Sequence, residues 1–124
     1  MSLPVLGDFV KSIERLKEVL LLVKTPVIRD SAIKRFEICF DLAWKSIKSY
    51  AKKEGIECNS PRSAFKTAFE LKLIDYDERW LEMIDDRNLT AHIYKEEYAE
   101  AIFLKLNEYT DMFNMLSDKL QKAL

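Results

Sequence analysis

The fold this sequence predicts is all-α, an up-and-down four-helix bundle with one additional short helix, forming a single domain over residues 1–124. Three observations carry that expectation. Apolar residues recur at i, i+3, i+4 and i+7 along most of the chain, a spacing that gathers them on one face of a helix. Only two glycines and three prolines occur in 124 residues, too few for a loop-rich chain. No segment alternates apolar and polar residues between turn signals, as a half-exposed strand would.

The first helix is expected from Asp8, with Phe9, Val10, Ile13, Leu16, Leu20 and Val23 as its stripe until "KTP", where Pro26 stops the pattern. A second is capped by Asp30 or Ser31, or starts a few residues earlier, just after Pro26. Its stripe of Ala32, Ile33, Phe36, Cys39, Phe40, Ala43, Trp44, Ile47, Tyr50 and Ala51 is broad enough to face two neighbours. Gly55 suits the left-handed position beyond its end. "NSPRSAFKTAFELKLI" opens a short third helix over about 61–73, with Ser60 as N-cap and Pro61 at the first helical position. A fourth begins near Asp77, carries Trp80, Met83, Ile84 and Arg87 on one face, and runs into "RNLTAHIY". A fifth spans roughly 95–122, burying Tyr98, Ala101, Ile102, Leu106, Tyr109, Met112, Phe113, Leu116 and Leu120. The aromatic residues, at this helical spacing, read as core or oligomer interface rather than as a cofactor box.

Composition narrows the function. With 48% hydrophobic and 33% charged residues the chain can build a core without metal or disulfide staples. A formal net charge of −1 gives no global attraction for nucleic acid or anionic membrane, so a polyanion must be met locally and no DNA partner is expected. The longest apolar run, "VLLLV" at 19–23, is far too short to span a bilayer, and no signal-peptide pattern opens the chain. A soluble cytoplasmic protein is expected. Cys39 and Cys58 read as ordinary reduced thiols. One histidine and two distant cysteines cannot build a transition-metal cage, and no glycine-rich phosphate loop occurs, so no cofactor is expected.

The residues that carry chemistry lie in "RNLTAHIY", which holds the only histidine. Histidine takes and gives protons near neutral pH, its unperturbed pKa being about 6.5, while arginine stays charged and can fork two phosphate oxygens. Together they suit attack of an RNA 2′-hydroxyl on its own phosphate, with His92 moving a proton and Arg87 stabilising the charge on the phosphorus oxygens. On one continuous helix, however, residues five apart stand about 140° around the axis, whereas Asn88 and His92 share a face. Either the helix ends between Arg87 and His92, or a second copy across a two-fold axis completes the site; a homodimer is expected. The plainer account is a histidine that caps a helix end. Six nearby carboxylates (Asp75, Asp77, Glu78, Glu82, Asp85 and Asp86) read as a solvated face that would repel RNA unless it points elsewhere or binds Mg²⁺. Lys45, Lys48, Lys52, Lys53, Arg62 and Lys66 form a separate basic cluster.

The segments "RDSAIKRFEICFDLAWKSIKSYAKKEG", "SPRSAFKTAFELKLI" and "WLEMIDDRNLTAHIY", in that order, resemble the HEPN-domain proteins described as nucleotidyltransferase substrate-binding proteins. The last segment is the most specific, an R-x4-H-x-Y motif preceded by Trp80 and Met83. The resemblance implies a dimeric helical bundle paired with a minimal nucleotidyltransferase, often as a toxin–antitoxin module. In active toxins of that kind the motif cuts RNA without metal. By correspondence Arg87 and His92 would be catalytic, with Asn88 as their polar neighbour, and Tyr94 is similar to the tyrosine that receives AMP in some pairs. The resemblance also supplies a competing role, a non-catalytic subunit that binds substrate nucleotide for the nucleotidyltransferase.

Overall fold

The computed structural model describes residues 3–124 and, among them, six α-helices: α1 (Pro4–Leu20), α2 (Pro26–Lys53), α3 (Pro61–Glu70), α4 (Arg79–Leu89), α5 (Glu96–Phe103) and α6 (Leu106–Ala123), with a 3-10 turn at Thr90–His92. They form an all-α bundle around α2, against which every other helix packs. Among the described residues no helix is long and apolar enough to cross a membrane.

Aromatic rings from five helices make the centre. Phe36 stacks on Tyr109 at 5.5 Å and on Phe113 at 6.2 Å between ring centroids, and Phe9 meets Phe113 edge-on at 5.9 Å. Phe40 joins Phe65, which lies 4.8 Å from Trp80. Such pairs each add about 0.5–1.5 kcal/mol beyond the burial of their surface. Cys39 and Cys58 are buried free thiols, and burial pushes the Cys39 pKa up to about 11, which leaves it unreactive.

Local signals set most helix ends. Ser60 and Ser63 form a reciprocal capping box at the start of α3, with Pro61 in its first turn. Gly55 takes φ 80° after α2, and the Ile56 N–H reaches the Ala51 carbonyl at 2.9 Å to close the helix. The same closure ends α3 three residues before the expected limit. Lys72 occupies the left-handed position with φ 62°, and Leu73 N–H donates to the Ala68 carbonyl at 2.8 Å. In α2 it is Thr25 that caps, its hydroxyl accepting from Ile28 N–H at 3.1 Å, so Asp30 and Ser31 lie inside the helix. α1 stops at Leu20, and Val23, expected in its stripe, is 87% exposed.

Two expectations fail for tertiary reasons. The single fifth helix is two: the chain bends at Leu104 and Lys105, where Lys105 N–H bonds the carbonyl of Ile102, three residues back. Neither residue is glycine or proline. The bend lets α5 run beside the N-terminal end of α2 while α6 lies between α1 and α2. The acidic run, too, is not one solvated face: Asp86 is buried and accepts from the Tyr109 hydroxyl at 2.5 Å and from Lys105 at 3.2 Å. Asp77 is held by the Arg79 guanidinium, which keeps its carboxyl below the usual range.

Candidate active site

Thr90 ends α4, and it does so between the two residues of the motif. Its hydroxyl donates to the Arg87 carbonyl at 2.7 Å, a side-chain bond added to those that the backbone N–H groups of the helix end make to the Asp86, Arg87 and Asn88 carbonyls. The same oxygen accepts from Arg87 Nη1 at 3.2 Å. One threonine hydroxyl therefore bonds both the arginine's carbonyl and its guanidinium. The chain then tightens into the 3-10 turn, whose His92 carbonyl accepts from Lys95 N–H at 3.0 Å before α5 begins at Glu96.

Arg87 lies across α2. Its Nε and Nη2 donate to the two carboxylate oxygens of Asp41, each at 3.2 Å, and Glu37 stands 3.9 Å from Nη1. The Asp41 hydrogen bonds raise the Arg87 pKa above its ordinary value, so the guanidinium stays charged. A guanidinium carries five N–H donors. Asp41 and Thr90 take three of them, which leaves two without a hydrogen-bond partner among the described residues, the one on Nη1 on the nitrogen that Glu37 approaches.

His92 is exposed, and its Nδ1 lies 3.4 Å from the Tyr94 hydroxyl oxygen, with the two rings edge to face at 5.9 Å. Either group can donate in that pair, according to the imidazole tautomer. Tyr94 itself is 75% exposed. Asn88 is exposed and, among the described residues, makes no side-chain hydrogen bond. The first of the two alternatives for the motif is the observed one: the helix ends at Leu89. Even so, no hydrogen bond joins Arg87 to His92 within the described chain.

A second anchor follows the motif. Arg29, 2% exposed, donates through Nη1 and Nη2 to Glu96 at 2.6 and 3.3 Å, through Nη1 to Glu100 at 3.0 Å and through Nε to Asp30 at 3.0 Å. Lys24 holds Glu100 from the other side. The Arg29 hydrogen bonds hold the Glu96 carboxyl below the usual range; Glu100 is lowered first by Lys24 and then by Arg29. Asp41, Thr90, Arg29 and Glu96 are the site residues that sequence reasoning did not name. The signal for Thr90 was present, a hydroxyl three residues after the arginine at the end of a helical stripe. Asp41 and Arg29 pair with residues 46 and 67 positions away, which spacing does not disclose.

The molecule is a small helical bundle in which Arg87 at the end of one helix and His92 and Tyr94 in the turn after it lie beside the central helix α2. The chain belongs to the family described as nucleotidyltransferase substrate binding protein like, whose model matches residues 5–122. Its fold is that of a protein of solved crystal structure from Thermus thermophilus, 39% identical, with a TM-score of 0.85 over 90% of this chain and 98% of that one. It is equally that of HI0074 from Haemophilus influenzae, described as revealing the fold of a substrate binding domain of a nucleotidyltransferase, at 19% identity and a TM-score of 0.85 over 94% and 98% of the two chains. A Haemophilus influenzae protein named "Probable ribonuclease HepT" is 24% identical over 96 residues, 73% of this chain and 66% of the relative, just under two thirds of that protein's length.

Proposed function

We propose that the chain is the HEPN-type toxin of a pair with a minimal nucleotidyltransferase, a cytoplasmic metal-independent endoribonuclease that acts as a homodimer and is neutralised by its partner. The observation that carries this reading is the contrast between the two motif residues. Arg87 is held half-buried by Asp41 and Thr90 with Glu37 nearby and two donors without a hydrogen-bond partner, whereas His92 is exposed and, among the described residues, has no carboxylate bonded to it. An oriented cation and an accessible imidazole are what phosphoryl transfer within RNA needs. The 2′-oxygen attacks the adjacent phosphorus, the bond from phosphorus to the 5′-oxygen breaks, and a 2′,3′-cyclic phosphate and a free 5′-hydroxyl result. One imidazole accepts the 2′-hydroxyl proton, and a protonated one gives a proton to the leaving oxygen. A two-fold dimer supplies both from the single histidine of each copy.

Electrostatics support an RNA approach along α2. Lys45, Lys48 and Lys52 follow Asp41 at i+4, i+7 and i+11, on one helical face, and all three are exposed. Among the described residues none is in an ion pair, so their charge is available to phosphates despite the net charge of −1.

The alternative is a non-catalytic subunit that binds substrate nucleotide for the nucleotidyltransferase. It is favoured by the absence of a hydrogen bond between Arg87 and His92 within the described chain and by the family's description. Purified protein free of its partner, checked as a dimer by light scattering and given RNA in the presence of a chelator, tests between them. Cleavage that falls by about 10²-fold or more in both Arg87→Ala and His92→Ala, with helical circular dichroism intact, supports the nuclease. A monomer at micromolar concentration, or cleavage that survives the loss of His92, sinks it.

A further inference from the structure

We propose that Arg29 and Glu96 are a positioning pair that holds the His92–Tyr94 segment in place against α2; this rests on reading that segment as the reacting site. Between Leu89 and Glu96 the chain has no α-helix, only the 3-10 turn and the residues after it. Short irregular stretches of this kind open locally unless something ties them down. Here both ends are tied, and to the same helix. Upstream, Arg87 is bonded to Asp41; downstream, Glu96 is bonded to Arg29. Arg29 and Asp41 are twelve residues apart on α2, about 18 Å at 1.5 Å per residue, so one rigid rod sets the span that the motif bridges.

The pair is more than helix packing requires. Ala99 and Ile102 of α5 are fully buried and already supply its apolar contact. Burying a guanidinium costs free energy unless its donors are met, and Arg29 meets them by drawing two carboxylates from the first turns of α5. Three of its nitrogens are engaged, two of them on Glu96. That geometry fixes the rotation of α5 about its axis as well as its distance from α2. Because Glu96 is two residues beyond Tyr94 and four beyond His92, the rotation is passed directly to both side chains. Releasing it lets the imidazole drift relative to Arg87, and a displacement of about 1 Å at a reacting group can lower a rate about 10²-fold.

The test uses Glu96→Ala and Glu96→Gln, which alter an exposed side chain, with Glu96→Asp as the conservative variant and Arg29→Met as the buried counterpart. Two readouts do not need catalysis: hydrogen exchange of the amides over 90–98, and the imidazole NMR signals, which are unambiguous because His92 is the only histidine. In Glu96→Ala and Glu96→Gln the exchange of 90–98 rises roughly tenfold or more while α1 and α6 are unchanged, and the His92 signals shift. Their kcat for RNA falls by about 10²-fold with KM nearly unchanged, and Glu96→Asp recovers part of both effects. If the segment loosens but wild-type protein cuts no RNA, the positioning pair stands and the nuclease reading falls. If exchange and the His92 signals are unchanged in Glu96→Ala, or wild-type and Glu96→Ala proteins cleave with equal kcat, the pair is refuted. Should Arg29→Met fail to fold, the Glu96 variants decide alone.

Discussion

Replacing Asp41 by Asn separates a structural ion pair from a functional one. The substitution keeps the side chain's shape, removes its charge, and leaves one oxygen to accept where two now meet Arg87 Nε and Nη2 at 3.2 Å each. Both partners touch water, the side chains being 28% exposed at Arg87 and 40% at Asp41. Solvent screening therefore limits the pair to about 1 kcal/mol or less of stability, a fall of roughly 4 °C in the unfolding midpoint for a domain this size. Its effect on reaction should be larger. With one acceptor oxygen in place of two, the guanidinium loses its two-point grip and can turn about its long side chain, held by a single amide oxygen, Thr90 and the more distant Glu37, so its remaining donors no longer meet the phosphate in one orientation. A loss of about 10–10²-fold in kcat is expected. KM should not rise, because the carboxylate that competes with the phosphate for Arg87 has gone. Steady-state cleavage of a fluorogenic RNA, run beside thermal unfolding by circular dichroism, measures both quantities on the same preparation. Unchanged kcat together with a midpoint lower by more than about 10 °C would show that Asp41 is a strut and that its link to Arg87 carries no catalytic role.

Co-expression with a cognate nucleotidyltransferase is expected to place AMP on the Tyr94 phenol oxygen, which lies 3.4 Å from His92 Nδ1, so that the added phosphodiester and base cover the imidazole. Peptide mass spectrometry showing an unmodified Tyr94 in a neutralised complex would mean that docking alone inhibits. Acid should destabilise the bundle through carboxyls whose folded pKa is depressed: Glu96 by Arg29, Glu100 by Lys24 and Arg29, and Asp77 by Arg79. Their contribution is complete above the ordinary carboxylate values of about 4 and is lost as pH falls through the lower folded values, so midpoints should hold down to about pH 5 and then drop. A Glu96→Gln, Asp77→Asn double variant should flatten that decline, and an equally steep one would refute the assignment. Tyr109→Phe removes a donor from the buried Asp86 and should cost about 1–3 kcal/mol in urea unfolding, with the helical spectrum retained.

By itself the sequence determined the all-α class, the order of the helices, and the ends that local chemistry marks. Ser60 with Pro61, and Gly55, act through groups a few residues away, so their meaning is complete within one turn. The motif was legible for the same reason: Arg87, His92 and Tyr94 stand within eight consecutive residues. Tertiary structure decided what those residues face. That α4 gives way to a 3-10 turn inside the motif is seen only in the structure, where the Thr90 hydroxyl bonds both the Arg87 carbonyl and its guanidinium. The bend at Leu104 and Lys105 has no local breaker and follows from α5 being held to the start of α2 while α6 packs its aromatic stripe into the core. Asp86, indistinguishable in a run of acids from its solvated neighbours, is singled out only by the Tyr109 hydroxyl brought to it from another helix. Asp41 and Arg29 read in sequence as ordinary polar positions of a long amphipathic helix. They become anchors of the motif because folding sets α4 and α5 against two points of α2, and a charge half or wholly removed from water must take the partner that the fold presents.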